Sequence, residues 1–300
     1  MIMELEFLGT SSAVPTKNRN HSSISLKAFG EVMLFDCGEG TQNQLTRAHI
    51  SPMKIDKIFI THYHGDHILG LPGLIQSMGF RGRETPLKIY GPKGLEKLVN
   101  AVRQLGYFQI NFPLEYYEIE KEGILIETEE YRIETCFTEH NVPSVAYSII
   151  EKKKPKFLRE KAEALGVPVG PSFSKLHNGE TITINNKKIT PDMVLGPPRK
   201  GKKICYSGDT RPTEKLIELA KNSTLLIHES TYNKKDNDKA IENAHSTATD
   251  AATIAKKAEV EKLILTHFST RYLNTQELLD EACKIFENTQ TAKDFLKIEV

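Results

Sequence analysis

The stretch THYHGDH, residues 61–67, constrains the fold of this chain more than any other sequence feature. It places three of the ten histidines and one aspartate within six positions, directly after the apolar run KIFI. Imidazole and carboxylate groups are ligands that suit zinc and related divalent ions. A turn after a strand can aim His62 and His64 at one ion. Asp66 and His67 can then face a neighbouring ion, so the heptad predicts a strand that ends at a site for two metal ions.

Apolar runs alternate with helical patterns along the chain. Buried strands are predicted for LEFLG, SSISL, VMLFD, KIFIT, LKIYG, YSII, KKICYSGD, LLIHES and KLILTHF, each of which ends in a polar or glycine-containing stretch. Helices are predicted for GLPGLIQSMGF, GLEKLVNAVRQLG, PTEKLIELAKNS, TATDAATIAKKAEV and NTQELLDEACKIFEN, which carry apolar residues at three- and four-residue spacing. Either Ser246 or Thr247 could cap the fourth helix. Because strands and helices alternate, the predicted fold class is α/β.

Charge and cysteine usage narrow the function classes. The net charge is +1, so any binding of nucleic acid must come from local patches. The four cysteines form no CxxC pair, which argues against a cysteine-type zinc site and is typical of a reducing cell interior. No apolar run approaches ~18 residues, so no membrane helix is expected, and the N-terminus shows no signal-peptide pattern. A soluble cytoplasmic protein is therefore expected.

Polar side chains with metal-binding or acid–base chemistry also follow three further predicted strands. Asp209 follows CYS, Glu229 follows LIH and His267 follows LILT. Ligands of open α/β sheets gather at the carboxyl ends of the strands, so these residues could converge with the heptad on one site. Asp209 alone could be a turn former, and His267 alone is a weak signal. Their weight comes from completing one set of ligands.

The segment 151–179 interrupts the alternation of strands and helices. Its first eleven residues carry six lysines and arginines, including Lys152, Lys153 and Lys154, against two acids. Prolines and glycines follow. A solvated surface hairpin is one interpretation of such a charge run. A projecting arm that grips a polyanion is the other.

The ligand pattern resembles that of the metallo-β-lactamase superfamily, in which HxHxDH is followed by a downstream His, Asp and His. A narrower resemblance, to the ribonuclease Z family of endonucleases that trim tRNA 3′ ends, is carried by GTSSAVPTKNRNHSS, FDCGEGTQ, GDHILGLPGL, SGDTRP, HES, HST and THFSTRY. It runs from Leu8 to about Tyr272. The resemblance implies a four-layer αββα sandwich, a single domain over residues 1–300 with a flexible exosite arm inserted at 151–179.

The resemblance also implies the metal ligands. One ion would be held by a set of four residues: His62, His64, His140 and Asp209. The other would be held by a second set of four: Asp66, His67, Asp209 and His267. Asp209 would then bridge the two ions. Two zinc ions per subunit are the expectation, although manganese or iron could occupy such a site.

Catalytic roles follow from the same resemblance. Asp66 would orient or deprotonate the attacking water. His245, in the HST stretch, would protonate the leaving 3′ oxygen, while Glu229 holds its tautomer. Cleavage after the discriminator nucleotide would leave a tRNA 3′-hydroxyl and a trailer 5′-phosphate.

Precursor tRNA is the partner that the resemblance implies. The arm would hold the tRNA elbow through Gly170, Pro171, Lys175 and Gly179, together with its three consecutive lysines. Arg271, in STRY, could contact phosphate or form a surface ion pair. A homodimer is implied too, in which the arm of one subunit grips a tRNA that is cut in the other.

Four residues have roles that the sequence leaves open. His21 stands in RNHSS, where the resembling family usually has an apolar residue, and this favours a structural role over a ligand role. Asp36 follows the strand VMLF and either supports a metal ligand or is a structural turn acid. Phe157 and Phe173 either stack on a ligand or pack.

Two rival functions remain after these observations. A hydrolase of small phosphodiesters, sulfate esters or thioesters would use the same metal set, but the basic segment argues against it because a small substrate needs no basic projection. A non-catalytic RNA-binding relative would lack the ligands, whereas all seven are present.

Overall fold

The computed structural model describes residues 2–107 and 109–300, which divide into two compact units. The main unit comprises the described residues up to Ile150 together with Lys202–Val300, and the basic unit is Glu151–Gly201. The segment 151–179 lies within the basic unit. No helix in the described ranges is long and apolar enough to cross a bilayer.

The described residues form two large sheets, one small hairpin and short helices. The strands are β1 (Glu4–Gly9), β2 (Ser23–Ala28), β3 (Glu31–Phe35), β4 (Ile55–Phe59), β5 (Leu87–Pro92), β6 (Leu114–Ile119), β7 (Gly123–Glu127), β8 (Tyr131–Phe137), β9 (Val145–Glu151), β10 (Ile182–Ile184), β11 (Lys187–Ile189), β12 (Lys203–Tyr206), β13 (Leu225–Glu229), β14 (Leu263–Thr266), β15 (Thr289–Thr291) and β16 (Lys297–Glu299). The α-helices are α1 (Thr41–Arg47), α2 (Gly65–Ile68), α3 (Leu71–Phe80), α4 (Leu95–Gln104), α5 (Arg159–Ala164), α6 (Pro171–His177), α7 (Pro191–Val194), α8 (Glu214–Ala220), α9 (Asn237–Glu242), α10 (Ala248–Lys257) and α11 (Gln276–Cys283).

Each large sheet combines an antiparallel part with a parallel part. The first sheet has the order β16-β1-β2-β3-β4-β5-β6, and its strands from β3 to β6 are parallel neighbours. The second has the order β15-β14-β13-β12-β9-β8-β7, and its strands from β12 to β15 are parallel neighbours. Because parallel strands end at the same edge, each sheet presents a row of carboxyl ends where side chains can meet.

The sheets and helices of the main unit form layers, and three apolar cores lie between these layers. One contains side chains of both sheets, among them Phe7, Phe35, Tyr147 and Ile227, and lies between the sheets. Another packs the first sheet against α1, α3 and α4. The third packs the second sheet against α8, α10 and α11. The order helix, sheet, sheet, helix confirms the predicted αββα four-layer sandwich.

Helix α10 shows how local sequence sets an element boundary. Thr247 caps it, because its Oγ1 accepts a hydrogen bond from Asp250 N while the Asp250 carboxylate accepts one from Thr247 N. Of the two predicted caps, Ser246 instead donates its hydroxyl to the carbonyl of Thr210 at 2.6 Å. That bond ties the start of the helix to the loop after β12.

The basic unit has an apolar core of its own. Ala162, Leu176 and Val194 are fully buried in it. Phe157 and Phe173 pack against this core with ring centroids 4.8 Å apart, so they pack on each other rather than standing free for stacking. The core includes residues of the β10–β11 hairpin and of α7, and the compact unit therefore extends past 179 to Gly201.

Candidate active site

The carboxyl ends of β4, β12 and β14, with the loop after β8 that carries His140, bring the predicted metal ligands together. The heptad follows β4 and runs into α2, while Asp209 and His267 lie just beyond β12 and β14. Gly208 adopts a left-handed φ of 58°, and a Cβ on it would lie 2.7 Å from the Cβ of Thr61. Only glycine therefore lets the loop after β12 approach the loop after β4 this closely.

One ligand group consists of four of the predicted residues: His62, His64, His140 and Asp209. Their ligand atoms all lie within 4.8 Å of one another. His64 Nδ1 lies 3.0 Å from His62 Nε2 and 3.2 Å from His140 Nε2. A cation among these nitrogens would bind their lone pairs, and four nitrogen and oxygen ligands are typical of zinc.

A second group consists of three predicted residues, Asp66, His67 and His267, and a third group joins His245 to Asp209 and His267. Asp209 Oδ2 lies 3.3 Å from the Nε2 atoms of both His67 and His267, and 3.6 Å from His62 Nε2. Its carboxylate thus stands between the first two groups. The second oxygen, Asp209 Oδ1, is buried without a hydrogen-bond partner among the described residues.

Two threonines fix histidine tautomers at the site. Thr231 donates its hydroxyl proton to Glu229, and its oxygen lies 2.8 Å from His267 Nδ1. That oxygen can therefore accept the Nδ1 proton, which leaves the Nε2 lone pair free for a metal ion. Thr61 does the same for His62: it donates to a carboxylate and lies 3.0 Å from His62 Nδ1.

Asp36 is the carboxylate at the centre of this support. Its Oδ1 accepts hydrogen bonds from the backbone N–H and the hydroxyl of Thr61, at 2.8 and 3.0 Å. Its Oδ2 lies 2.8 Å from His67 Nδ1 and accepts the Tyr206 hydroxyl at 2.8 Å. Of the two roles that the sequence left open, Asp36 therefore holds a candidate ligand, and it also shapes the turn with its left-handed φ of 55°.

The charge balance fits divalent metal ions. Burial lowers the pKa of His62 well below its ordinary value, so this ring is neutral and offers a lone pair. Burial also opposes the charged form of His67, but the carboxylates of Asp209 and Asp36 outweigh burial and raise its pKa well above the ordinary value. The site thus favours positive charge at its centre, and orphaned Asp209 Oδ1 adds an unused oxygen ligand.

His245 and Glu229 form a pair beside the ligand groups. His245 Nδ1 lies 2.8 Å from Glu229 Oε1, and Glu229 also accepts the backbone N–H of Thr210 at 2.9 Å. Burial lowers the pKa of His245, but the charge of Glu229 and its hydrogen bond prevail and raise it to about 9. A cation bound nearby would disfavour the protonated ring and so lower this pKa.

A cavity of about 690 Å³ gives access to these groups. Its walls include His21, His64, Asp66, His245 and Arg271. The guanidinium of Arg271 also lies 5.0 Å from the ring centroid of Tyr232 and 3.5 Å from a carboxylate oxygen of Asp236. Arg271 therefore makes the ion pair that the sequence allowed while still facing the cavity.

Comparison with known proteins gives the family. A family model described as anti-Pycsar protein Apyc1 matches residues 3–154, and a model of a β-lactamase superfamily domain matches residues 171–268. The chain is 54% identical over 299 residues to the ribonuclease Z of Methanothermobacter thermautotrophicus, an alignment that covers 100% of this chain and 97% of that one. The chain belongs to the ribonuclease Z family. It is also 45% identical to the ribonuclease Z of Methanosarcina acetivorans, over 100% of this chain and 98% of that one.

A solved structure agrees with this ribonuclease Z assignment. The crystal structure of the short form of human tRNase Z superposes with a TM-score of 0.72 at 29% sequence identity, and the match covers 98% of each chain. The metallo-β-lactamase fold predicted for this member of the ribonuclease Z family is thereby confirmed.

The predicted arm residues of this ribonuclease Z family member all lie in the basic unit: Lys152, Lys153, Lys154, Gly170, Pro171, Lys175 and Gly179. Gly170 precedes α6 with a φ of 134°, a value that favours glycine. Lys154 Nζ lies 3.0 Å from the side-chain oxygen of Asn178. Their role in binding stays a prediction.

Sequence reasoning missed the residues that support the ligands. Thr231 lies two residues after Glu229, and Tyr206 ends the strand before Asp209, so each is adjacent to a motif that was singled out. The backbone N–H of Ala13, which donates to Asp66 Oδ2 at 2.7 Å, left no side-chain signal at all.

Proposed function

We propose that the chain is a zinc-dependent endoribonuclease that removes 3′ trailers from precursor tRNA. It cuts after the discriminator nucleotide and leaves a tRNA 3′-hydroxyl and a trailer 5′-phosphate. The observation that carries the proposal is the pairing of His245 with Glu229 at 2.8 Å, beside seven convergent ligands, in a member of the ribonuclease Z family.

The proposal includes two zinc ions per subunit. Their ligands would be His62, His64, His140 and Asp209 for one ion, and Asp66, His67, Asp209 and His267 for the other. When bound, such a pair of ions supplies a nucleophile at neutral pH and stabilises charge on the phosphoryl oxygens. Zinc is favoured over magnesium because imidazole nitrogens predominate in the donor set.

Asp66 is suited to handle the attacking water. Burial alone would raise the pKa of Asp66, but its hydrogen bond with His267 and the charge of His67 lower it well below its usual range. The carboxylate is therefore ionised and can orient the attacking water by accepting a hydrogen bond from it. The bond from the backbone of Ala13 fixes one oxygen and thus the direction of the other.

His245 is suited to protonate the leaving 3′ oxygen. Glu229 occupies its Nδ1, so the proton to be transferred sits on Nε2. Glu229 is 1% exposed and is held by Thr210 and Thr231, so it cannot swing away from His245. The pair combines a fixed orientation with a charge that stabilises the protonated ring.

The basic unit is the proposed contact for the body of the tRNA. It carries eleven lysines and arginines against five acids, and such a surplus attracts a polyanion. A homodimer in the cytoplasm, with the basic unit of one subunit serving the other, belongs to the same proposal and rests on the family resemblance.

Cleavage of a 3′-extended precursor tRNA tests the proposal. The purified protein would be assayed with and without prior chelation, beside Asp66→Ala and the exposed control Asp238→Ala, with products mapped at nucleotide resolution and bound metal quantified. We expect a chelator-sensitive cut after the discriminator base that Asp66→Ala abolishes and Asp238→Ala retains. Two bound ions per chain without any cut would instead indicate a hydrolase of small esters, and absence of bound metal would contradict the site itself.

A further inference from the structure

Two exposed aliphatic side chains, Val14 and Leu69, line the cavity at the candidate active site. Each is 57% exposed, and they share the cavity wall with polar groups such as His64, Asp66 and Arg271. A single exposed apolar residue is ordinary on a protein surface. Two of them in the wall of a reaction cavity call for a different reading, because they leave apolar area in water at the place where a substrate binds.

Leu69 lies against the metal-ligand heptad itself. It follows α2 directly, and its backbone N–H donates to the carbonyl of Gly65 at 2.9 Å. A Cβ on Gly65 would lie 3.0 Å from a methyl carbon of Leu69, so the leucine side chain lies over this glycine. Gly65 stands between His64 and Asp66 in the chain. The backbone thus holds an apolar group next to two candidate ligands.

Val14 lies one residue from a contact with the same carboxylate. Its neighbour Ala13 donates the backbone N–H to Asp66 Oδ2 at 2.7 Å. The carbonyl of Val14 accepts the Ser11 hydroxyl at 2.7 Å, which anchors this part of the loop after β1. Val14 and Leu69 are therefore both held close to Asp66, although they come from separate segments of the chain.

The chemistry of these two side chains restricts what they can bind. An aliphatic group offers no hydrogen bond to a phosphate or a ribose hydroxyl, and covering such polar groups without a hydrogen bond costs free energy. The face of a nucleobase is the large apolar surface that an unpaired RNA strand offers, and proteins hold such faces against aromatic or apolar side chains. Val14 and Leu69 therefore suit a nucleobase.

We infer that Val14 and Leu69 form an apolar platform for the base of a nucleotide that flanks the scissile phosphate. The inference rests on the proposed function. Asp66 is the group proposed to orient the attacking water, so a surface beside it lies close to the two nucleotides that this phosphate joins, the discriminator and the first trailer nucleotide. The cavity of about 690 Å³ suits unpaired nucleotides. Because every base has an apolar face, the platform accepts any sequence.

Substitutions of Leu69 and Val14 test the platform. Leu69→Gln places a polar group of similar length on it, Leu69→Met keeps an apolar side chain, and Val14→Thr replaces a methyl group by a hydroxyl. The matched control is Leu105→Gln. Leu105 is 54% exposed and directly follows a helix, as Leu69 does, but it lies outside the walls of the cavity. Bound metal and melting temperature would be measured for every variant, because α2 carries candidate ligands.

The substrates are precursor tRNAs with each of the four bases, or an abasic site, at the discriminator or at the first trailer position. We expect Leu69→Gln to raise KM about fivefold with kcat nearly unchanged, because apolar contact stabilises the bound ground state and the transition state alike. Val14→Thr should act in the same direction but more weakly. Leu69→Met and Leu105→Gln should match wild type, and metal content and melting temperature should stay unchanged.

The abasic precursors identify the base that is held. The effect of Leu69→Gln should occur with all four bases and disappear on one of the two abasic precursors. On that precursor wild type itself should show a KM raised about fivefold, since the variant and the missing base remove the same contact. Loss of the effect on the abasic discriminator places the platform under the tRNA end, and loss of the effect on the abasic trailer places it under the trailer.

Other outcomes would overturn the inference. A raised KM of Leu69→Gln on both abasic precursors would mean that no base at these positions rests on Leu69. An effect confined to one base identity would indicate hydrogen bonding to a base edge instead of apolar contact. Lower metal content in Leu69→Gln would assign Leu69 to the support of α2. Wild-type cleavage of the ordinary precursor reports on the proposed function, so the two ideas fail by different results.

Discussion

The two compact units of this chain differ sharply in charge. Residues 151–201 carry eleven lysines and arginines against five acids, whereas the rest of the chain carries 29 against 34. The basic unit packs around one small apolar core, and the main unit around three larger ones. The net charge of the whole chain is therefore close to zero because a positive unit and a negative unit offset each other.

The proposed function assigns different tasks to the two units. Reacting groups need fixed positions, which the large cores of the main unit supply. Binding a polyanion needs positive charge more than precise placement, and a small unit can supply that. The carboxylates of Asp36, Asp66, Asp209 and Glu229 lie at or beside the candidate site, and the proposed cations would offset their negative charge.

The largest expected effect separates chemistry from binding. Asp209→Asn should lower kcat about 10³-fold, since Asp209 touches both ligand groups and its charge stabilises the site. Affinity for precursor tRNA, measured by filter binding at fixed salt, should stay within about twofold because the basic unit is intact. The exposed carboxylate variant Asp238→Asn is the matched control. If Asp209→Asn lost cleavage and tRNA affinity together, the proposed assignment of catalysis to the main unit and of tRNA binding to the basic unit would be contradicted.

The next effect concerns the proton donor. His245→Asn should lower kcat by about 10²–10⁴ with little change in KM, because a general acid acts in the transition state only. Glu229→Gln should cost less, since an amide oxygen still accepts from Nδ1. Steady-state kinetics on a precursor tRNA would measure both. A raised KM with normal kcat in His245→Asn would instead assign the ring to substrate binding.

A third prediction concerns a mutation that lowers the stability of the basic unit but not of the main unit. Leu176 is fully buried, and Leu176→Ala should destabilise that unit by about 2–5 kcal/mol. Hydrogen exchange should rise across residues 151–201 and stay low in the main unit, while KM for precursor tRNA increases. Hydrolysis of bis-p-nitrophenyl phosphate should be unaffected.

The matched control is Leu226→Ala, at a buried leucine of the main unit. In this variant, hydrogen exchange should rise outside residues 151–201. Uniform exchange in both variants would show that the units unfold together.

The smallest effect is expected when positive charge is removed from the basic unit by mutation. The double variant of Lys152 and Lys153 to alanine should raise KM for precursor tRNA about tenfold, leave kcat unchanged and reduce the salt dependence of binding by about 0.7–0.9 per lysine. A double alanine variant at Lys256 and Lys257 removes the same charge from the main unit. If both pairs of substitutions weaken tRNA binding equally, the location of the charge does not matter. That result would contradict a special role of the basic unit in tRNA binding.

Most of the candidate ligand set could be predicted from local signals. Four ligands lie within the six residues from His62 to His67, and others follow strands whose apolar runs are easy to find. Strands such as β13 are buried on both faces and therefore read as continuous apolar runs. Strand β7 lies at a sheet edge without a buried residue and was not predicted, although its sequence GILIE contains three consecutive apolar residues.

The sequence by itself predicted the fold class, the candidate ligands other than His140 and the charge of the segment 151–179, since residue type and spacing along the chain carry that information, whereas His140 came from the family resemblance. Only the tertiary structure decided what holds the ligands. Tyr206 and Asp36 are 170 positions apart, yet their side chains meet at 2.8 Å. The tertiary structure likewise buries both ring nitrogens of His21 without a hydrogen-bond partner among the described residues. Such relations depend on how distant strand ends meet, and no local pattern encodes that distance.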